Sequence, residues 1–116
     1  MQYLLMIYND EAEIASATPE TIGPRLAAYH AYGEAMGKAG VVLGGNRLRP
    51  TNTATTVRIR DGKTQVLDGP YADTKEQLGG YYLIEAENLD QAVAIAARIP
   101  SARFGSIEVR PIMKMG

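Results

Sequence analysis

The 116-residue sequence contains no cysteine, which excludes disulfides, thiolate nucleophiles and cysteine-ligated metals. It also lacks an excess of one charge, because 12 basic and 13 acidic residues leave a net charge of -1. Nucleic acid and anionic membranes are therefore not expected as partners. No apolar run approaches a membrane span, and the first residues carry no signal-peptide pattern. We expect one cytoplasmic domain covering residues 1–116.

The first half of the chain has a strand, helix, strand pattern. Residues 3–8 form a continuous apolar run, typical of a strand that is buried on both faces. A polar loop is expected next, followed by a helix that Thr18 caps and Gly40 ends. Residues 41–48 are predicted to form a second strand, with a bend or bulge at Gly44 and Gly45.

The second half adds four strands and one helix. Residues 56–60 and 65–67 flank Asp61 and Gly62, a strong signal for a small β-hairpin. A strand over 81–86, a helix over 91–99 and a last strand over 106–110 follow. With the small hairpin set aside, the order predicts an α+β, ferredoxin-like βαββαβ fold. It has an antiparallel sheet with two helices on one face.

The first strand also bears on assembly, because it is apolar on both faces. Tyr3, Leu5 and Ile7 alternate with Leu4, Met6 and Tyr8. Two helices cover only one face of such a sheet, so the second face needs another layer. We expect a second copy of the chain to supply it, forming a homodimer. The alternative is a partly exposed apolar face.

His30 is the only histidine, and its unperturbed pKa suits proton transfer near neutrality. On a helical wheel it lies at the border of the apolar stripe, beside the small residues Gly23, Ala27 and Gly37. Such a position has room for a ligand or a second side chain. The alternative is a helix-flank histidine bonded to a loop or to water. A single histidine without cysteine makes a metal site unlikely to form, and no metal or other cofactor is predicted.

Asp68 opens the chemically richest stretch of the chain, residues 68–82. Its carboxylate at a strand end could orient His30 or act as a base, and a His–Asp pair is the smallest credible acid–base unit here. The alternative role is turn formation together with Gly69 and Pro70.

Six further side chains are predicted to bind a substrate. Tyr71 and Lys75 belong to the loop that follows Asp68, and Tyr82 starts the next strand, where Tyr81 and Tyr82 project to opposite faces. Arg58, Glu108 and Arg110 alternate along strands with apolar residues. If the apolar residues face the helices, these charged ones face the second layer, where an unpaired arginine could hold an anion.

These residues and their neighbours resemble the YCII-related family, in particular its DGPF-motif branch. The resemblance rests on Asp68-Gly69-Pro70-Tyr71, in which Tyr replaces the Phe of the motif. It rests also on residues 40–41, 74–76, 78–81 and 107–111. It implies a ferredoxin-like domain that pairs into a dimeric α/β barrel, and a His–Asp site that maps onto His30 and Asp68.

Two functions are compatible with this sequence. The first is a cofactor-free enzyme that uses His30 and Asp68 for acid–base chemistry on a small organic molecule. It predicts a partly apolar pocket in each subunit. The second is a non-catalytic module that senses a ligand or binds a partner. The resemblance implies a link to bacterial extracytoplasmic-function sigma factors, so a sigma factor is the partner predicted for it.

Overall fold

The computed structural model describes residues 1–114. Its strands and helices follow one another as β1 (Gln2–Asn9), α1 (Glu11–Ala15), α2 (Pro19–Ala39), β2 (Val42–Arg47), β3 (Thr55–Arg60), β4 (Lys63–Asp68), β5 (Gln77–Glu85), α3 (Leu89–Ala97) and β6 (Ser106–Pro111). Short 3-10 turns occupy Thr51–Thr53 and Pro100–Arg103. The described part of the chain thus has the predicted order of elements, with one additional short helix.

The main sheet has four antiparallel strands in the order β2-β5-β1-β6. The first strand lies in the interior of the sheet, between β5 and β6, as its apolar sequence predicts. This order, with α2 and α3 as the crossover helices, is that of a ferredoxin-like α+β fold. The predicted fold class is confirmed.

Strands β3 and β4 form a separate two-stranded sheet, here called the hairpin. Asp61 and Gly62 both have positive φ, 52° and 74°, as a two-residue hairpin turn requires. Val57 and Ile59 do not face the helices, because the hairpin stands apart from the main sheet and both side chains are exposed. Arg58 was expected to face a second layer of the main sheet only if Val57 and Ile59 faced the helices. They do not, so this expectation is wrong for Arg58.

The core lies between the main sheet and helices α2 and α3. Tyr3, Leu5 and Ile7 alternate along β1 toward the helices, and Leu5 is fully buried. They pack with Ile84 of β5, and the same cluster contains further buried residues from the two helices and, in Ile99, from the segment after α3: Tyr32, Met36, Ala92, Ile95, Ala96 and Ile99. Removing each such aliphatic side chain from water contributes about 1.5–3 kcal/mol.

The opposite face of the main sheet is only half covered. Leu4, Met6 and Tyr8 are of intermediate exposure there, as the two-faced character of β1 predicts. Glu108 and Arg110 of β6 share this face and pair with each other, Nη2 to Oε2, at 2.6 Å. Ile107 and Val109 pack against the core, so the expected division of β6 into two faces is confirmed.

Two elements differ from the sequence prediction. Residues 11–15 form α1 rather than a loop, because the Asp10 side chain caps it by accepting hydrogen bonds from the amides of Ala12 and Glu13. Strand β5 begins at Gln77, so both glycines of the Gly79-Gly80 pair lie inside it. A Cβ on Gly80 would lie 2.9 Å from the carbonyl oxygen of Asn46, so this glycine permits the close approach of β2.

A candidate ligand cleft

A cleft of about 850 Å³ lies between the helices and one end of the main sheet. Helix α1 and the first half of α2 form one side of it. The ends of β2 and β5 and the turn after α3 form the other. Its volume falls within the range of roughly 300–1,000 Å³ that ligand sites occupy. The fold thus creates a space of ligand size within a single chain.

Most of the cleft wall is apolar. Aliphatic and aromatic side chains reach it from both helices, from the sheet and from the last turn: Ile7, Ile14, Ile22, Leu26, Tyr29, Leu48, Tyr82 and Phe104. Polar side chains supply the smaller part of its surface: Asn9, Glu11, Arg25, Asn46, Arg47, Thr51, Asn52, Gln77 and Ser101. Such a wall suits a molecule that is largely apolar and carries a small number of polar atoms.

Arg25 is the most unusual polar residue of the wall, since only 20% of its side chain is exposed. Its Nη2 donates to Oε1 of Glu13 at 2.5 Å, and its guanidinium carbon lies 3.9 Å from the centre of the Phe104 ring. Its Nη1 is buried and has no hydrogen-bond partner within residues 1–114. A charged donor is therefore removed from water without a replacement, which folded proteins rarely tolerate.

Three hydroxyl groups lie deeper in the cleft, near the core. The Tyr29 and Ser101 hydroxyls are hydrogen-bonded to each other. Burial, with a smaller contribution from Tyr29, raises the pKa of Tyr82 above its ordinary value. The Tyr82 phenol therefore stays protonated at neutral pH and can donate a hydrogen bond to a ligand.

Helix α1 is fastened across the cleft by polar contacts. Its first residue, Glu11, accepts hydrogen bonds from the backbone amide and the hydroxyl of Thr51, at 2.8 and 2.7 Å. The Glu11 amide in turn donates to Oε1 of Gln77 at 2.9 Å. Asn9, just before this helix, also lies on the wall, and its Oδ1 is buried without a partner in the described chain. These contacts fix one side of the cleft.

His30 and Asp68 both lie away from the cleft wall. The His30 side chain is 77% exposed on α2 and its Nε2 lies 3.1 Å from Oε1 of Glu34, one helical turn on. Asp68 is exposed at the end of β4, opposite Thr55 in the hairpin. Within residues 1–114 the carboxylate that pairs with His30 is thus Glu34, and the His30–Asp68 pair stays a prediction.

The turn after Asp68 has a structural role. Gly69 has a positive φ of 99°, its amide donates to the carbonyl oxygen of Ala54 at 2.8 Å, and its own carbonyl accepts from the Thr56 hydroxyl at 2.9 Å. Tyr71 follows with 81% of its surface exposed. This stretch therefore closes the base of the hairpin, as the turn interpretation of Asp68-Gly69-Pro70 proposed.

Of the remaining predicted binding residues, the structure brings one to the cleft. Tyr82 points to the helix side of the sheet, where its ring lies 5.6 Å from that of Tyr32, and it lines the cleft. Lys75 is exposed, and Arg58 lies half-buried on the hairpin. Glu108 and Arg110 pair on the other face of the main sheet. Ligand binding by these four residues stays a prediction.

Sequence reasoning did not single out Arg25, although the signal was present. Arg25 lies three residues after Ile22 and four before Tyr29, so it falls on the apolar stripe of α2. A charged side chain within such a stripe indicates either an ion pair or a binding site. Arg25 forms an ion pair with Glu13 and also lies on the cleft wall. Ser101 and Asn9 carry no comparable pattern, because only the tertiary fold brings them to the cleft.

No helix in residues 1–114 is both long and apolar enough to cross a membrane. Over the same residues, no group of three or more histidine and carboxylate side chains is arranged to hold a metal ion.

Comparison with known proteins agrees with this architecture. The YCII-related domain family matches residues 1–116. The uncharacterized protein R00369 of Rhizobium meliloti (strain 1021) is 43% identical over 119 residues, which cover 97% of this chain and 92% of that protein. Among solved structures, 5-chloro-2-hydroxyhydroquinone dehydrochlorinase (TftG) from Burkholderia phenoliruptrix AC1100, in complex with 2,5-dihydroxybenzoquinone, has a similar fold. Its TM-score is 0.59 at 17% identity, over 100% of this chain and 96% of that one. The chain therefore belongs to the YCII-related family.

Proposed function

We propose that this protein binds a small organic molecule in the cleft and acts on it by acid–base chemistry. The observation that carries the proposal is the make-up of the cleft wall. It is of ligand size and largely apolar, yet it includes Arg25, whose buried Nη1 has no partner within residues 1–114. A ligand that gave this nitrogen an acceptor, after a turn of the guanidinium, would remove a cost that the folded chain otherwise bears.

The fold neighbour supports the same class of function. TftG is a dehydrochlorinase of a hydroxylated aromatic ring, solved with a dihydroxybenzoquinone bound. A ring of that size would fit a cleft of about 850 Å³. In this chain the proposed proton-handling groups within the cleft are the Tyr82 phenol and the Tyr29–Ser101 hydroxyl pair. No cofactor forms part of the proposal.

His30 and Asp68 are a second proposed set of acid–base residues. They could act together only if the hairpin or the loop after it moved, or if a ligand bridged them, because His30 pairs with Glu34 in this structure. Once a reaction has been identified, the turnover rates of variants distinguish the two sets of residues. Tyr82→Phe should lower turnover if the cleft is the active site, whereas His30→Gln and Asp68→Asn should do so if the predicted pair is.

The binding part of the proposal is tested by blocking the cleft. A panel of small aromatic and aliphatic compounds is screened by ligand-observed NMR, and the affinity of each hit is measured by calorimetry. A double variant, Ile22→Trp with Leu26→Trp, places bulky side chains on the cleft wall and should abolish binding. The control is Ala27→Trp with Ala31→Trp, on the exposed face of the same helix.

The outcome is decisive when both variants melt cooperatively near the wild-type temperature. Hits that survive in the cleft variant and disappear in the control variant would place the ligand on the outer face of α2, near His30. That result would overturn the cleft as the site. A panel without any hit would argue against small-molecule function altogether.

A second function, partner binding, is favoured by a different observation. Val57, Ile59 and Val66 lie on one face of the hairpin and are all exposed. We propose a sigma factor as the partner, as the family resemblance implies. Calorimetric titration with the cognate sigma factor tests this, with Val57→Lys and Val66→Lys as the disrupting changes. Absence of binding at micromolar concentration would count against this function.

We also propose that two copies associate through the half-covered face of the main sheet. Leu4, Met6 and Tyr8 lie there beside Leu78, Tyr81 and Leu83 of β5, all of intermediate exposure. Sedimentation equilibrium should give twice the chain mass for the wild type. A Leu4→Lys variant should give the single mass, because its ammonium would be buried opposite the like charge of Arg110. A wild-type monomer at high micromolar concentration would contradict this proposal.

A further inference from the structure

We infer that the ligand of the cleft is a compact hydroxylated aromatic acid whose anionic oxygen binds the guanidinium of Arg25. The inference rests on the proposed function, because it assigns a chemical class to the molecule that the cleft would hold. Three observations carry it: the Arg25 donor that lacks a partner, the aromatic part of the wall and the hydroxyl groups of the wall.

The first observation concerns the donors of Arg25. A guanidinium is charged at any pH at which proteins fold, and it has five N–H donors in a rigid plane. Glu13 accepts from Nη2, and the Phe104 ring covers one face of the plane. Nη1 stays buried without an acceptor in the described chain. A carboxylate or ionised ring hydroxyl is the natural partner for such a donor, since charge-assisted bonds are stronger than neutral ones.

The other charges of the wall do not supply that partner. Glu11 is the only carboxylate among the lining residues, and both of its oxygens already accept from Thr51. The remaining charged lining residue is Arg47, which is exposed at the end of β2. Glu13 offsets the charge of Arg25 from outside the wall but reaches only one of its terminal nitrogens. An incoming anion therefore meets two cations, Arg25 and Arg47, and two carboxylates, Glu11 and Glu13, that are both already engaged.

The second observation is the aromatic character of the wall near Arg25. Phe104 stacks on the guanidinium, and Tyr29 lies one helical turn along α2 from Arg25. Tyr82 faces the same space from β5. Flat side chains on several sides favour a flat ring over a branched aliphatic chain, because ring pairs gain stacking and edge-to-face contacts.

The third observation adds a hydroxyl to the ligand. The Tyr82 phenol and the hydrogen-bonded hydroxyls of Tyr29 and Ser101 belong to residues that line the cleft. An O–H group on the ring can exchange hydrogen bonds with such hydroxyls, since each of them both donates and accepts. The ligand would then pair its anionic oxygen with Arg25 and its hydroxyl with these three groups.

Binding requires a small adjustment of Arg25. Its Nη1 is shielded in this structure, so the guanidinium must turn over the Phe104 ring to present that nitrogen to a ligand oxygen. The contact to Glu13 can act as the pivot of this turn.

The Arg25→Lys variant keeps the positive charge but loses the planar arrangement of donors. It should therefore retain only part of the wild-type affinity for the ligand.

The test compares two nearly isosteric probes, meta-hydroxybenzoate and meta-hydroxybenzamide, by calorimetry on the full chain. The wild type should bind the acid about tenfold or more tightly than the amide, as expected for a hydrogen bond to a charged group. Arg25→Gln should lose this preference and keep the affinity for the amide within about threefold. Arg98→Gln is the control, because Arg98 is exposed at the end of α3 and does not line the cleft.

The possible results distinguish a failure of this inference from a failure of the proposed function. Equal binding of both probes, blocked by the Ile22→Trp and Leu26→Trp double variant, would overturn the acid preference while the cleft remained a ligand site. An acid preference that persists in Arg25→Gln would also overturn it and would point to Arg47. Binding of neither probe would overturn the inference directly. The wider compound panel would then decide whether the cleft binds any ligand.

Discussion

The cleft and the hairpin depart from ordinary folded structure in opposite ways. The cleft wall buries polar atoms, on Arg25 and Asn9, that have no partner in the described chain. The hairpin exposes apolar side chains, Val57, Ile59 and Val66, that nothing in the described chain covers. Buried polar atoms normally find partners, and contiguous exposed apolar surface normally marks an interaction site.

The two regions therefore differ in the kind of binding partner that each would accommodate. The proposed partner of the cleft is small and polar at defined points, as ligands of such pockets are. The proposed partner of the hairpin is broad and apolar, as the central part of a protein interface is. One small domain thus separates the two functions that its sequence leaves open, and each can be perturbed without the other.

The largest expected effect contrasts two isoleucines. Ile7 lies on the cleft floor with 6% of its surface exposed, whereas Ile59 on the hairpin is 65% exposed. Ile7→Ala should lower the free energy of unfolding by about 2–4 kcal/mol, because it leaves a cavity in the core. Ile59→Ala should change it by less than about 0.5 kcal/mol. Urea unfolding at low protein concentration measures both.

The comparison breaks if the two substitutions cost the same. A large effect of Ile59→Ala would mean that the hairpin face is covered in solution, by another copy or by the chain itself. Repeating the titration at a hundredfold higher protein concentration would distinguish the two, since only association depends on concentration.

A second contrast concerns two tyrosines. The buried Tyr32 hydroxyl donates to the Ile95 carbonyl at 3.1 Å, whereas Tyr71 in the loop after the hairpin is exposed. Tyr32→Phe should therefore cost about 1 kcal/mol at neutral pH, and Tyr71→Phe nothing measurable. Thermal melts at neutral pH check both expectations.

The raised pKa of Tyr32 predicts that the protein loses stability at alkaline pH. Burial raises its pKa from 10.0 to about 12, with a smaller contribution from Tyr82. Between these values the unfolded chain loses the proton first, so the folded state binds more protons and the free energy of unfolding falls as pH rises. Tyr32→Phe lacks this titration, and its deficit relative to the wild type should narrow over that range. A constant deficit would contradict the assignment.

The fold could be read from the sequence because local signals agreed with one another. The two-faced run of β1, the Asp61-Gly62 turn and the Gly40 helix end each act over a few residues, and their order defines the topology. Helix α1 was missed, since its cap on Asp10 was not recognised in a polar stretch. The candidate site was harder to predict. Asn9, Arg25, Tyr82 and Ser101 lie far apart in sequence, and only packing brings them to one wall.

Residues 68–82 are rich in charged and aromatic residues, and the residues of this stretch have several separate roles in the structure. Gly69 sets a positive-φ turn, Gly80 permits a close strand contact, and the Glu76 Oε1 accepts from the Ser106 hydroxyl at 2.7 Å. The end of the stretch reaches the cleft, whose lining includes Gln77, Gly79, Gly80, Tyr81 and Tyr82. One end of this chemically rich segment therefore closes the hairpin and the other end borders the cleft, and its role in a site stays a prediction.

A third, smaller effect contrasts two arginines that each pair with a glutamate. Arg25→Met should change the free energy of unfolding by less than about 1 kcal/mol. The lost pair with Glu13 is offset by removal of a buried donor that has no partner in the described chain. Arg110→Met, on the exposed face, should change it by less than about 0.5 kcal/mol. A loss above about 2 kcal/mol for Arg25→Met would make this residue a structural support rather than a ligand-binding one.

The smallest expected effect is that of His30→Gln. His30 is 77% exposed and its pairing with Glu34 is of the kind that contributes at most a few tenths of a kcal/mol. Stability should therefore be unchanged within about 0.5 kcal/mol, and calorimetry should give the same affinity for any cleft ligand. Glu34→Gln serves as the control, since it removes the same pair and keeps the histidine. A tenfold loss of affinity or turnover in both His30→Gln and Asp68→Asn, but not in Glu34→Gln, would show that the predicted His–Asp pair forms during function. The contrast drawn between cleft and hairpin would then fail, because a hairpin-end carboxylate would belong to the active site.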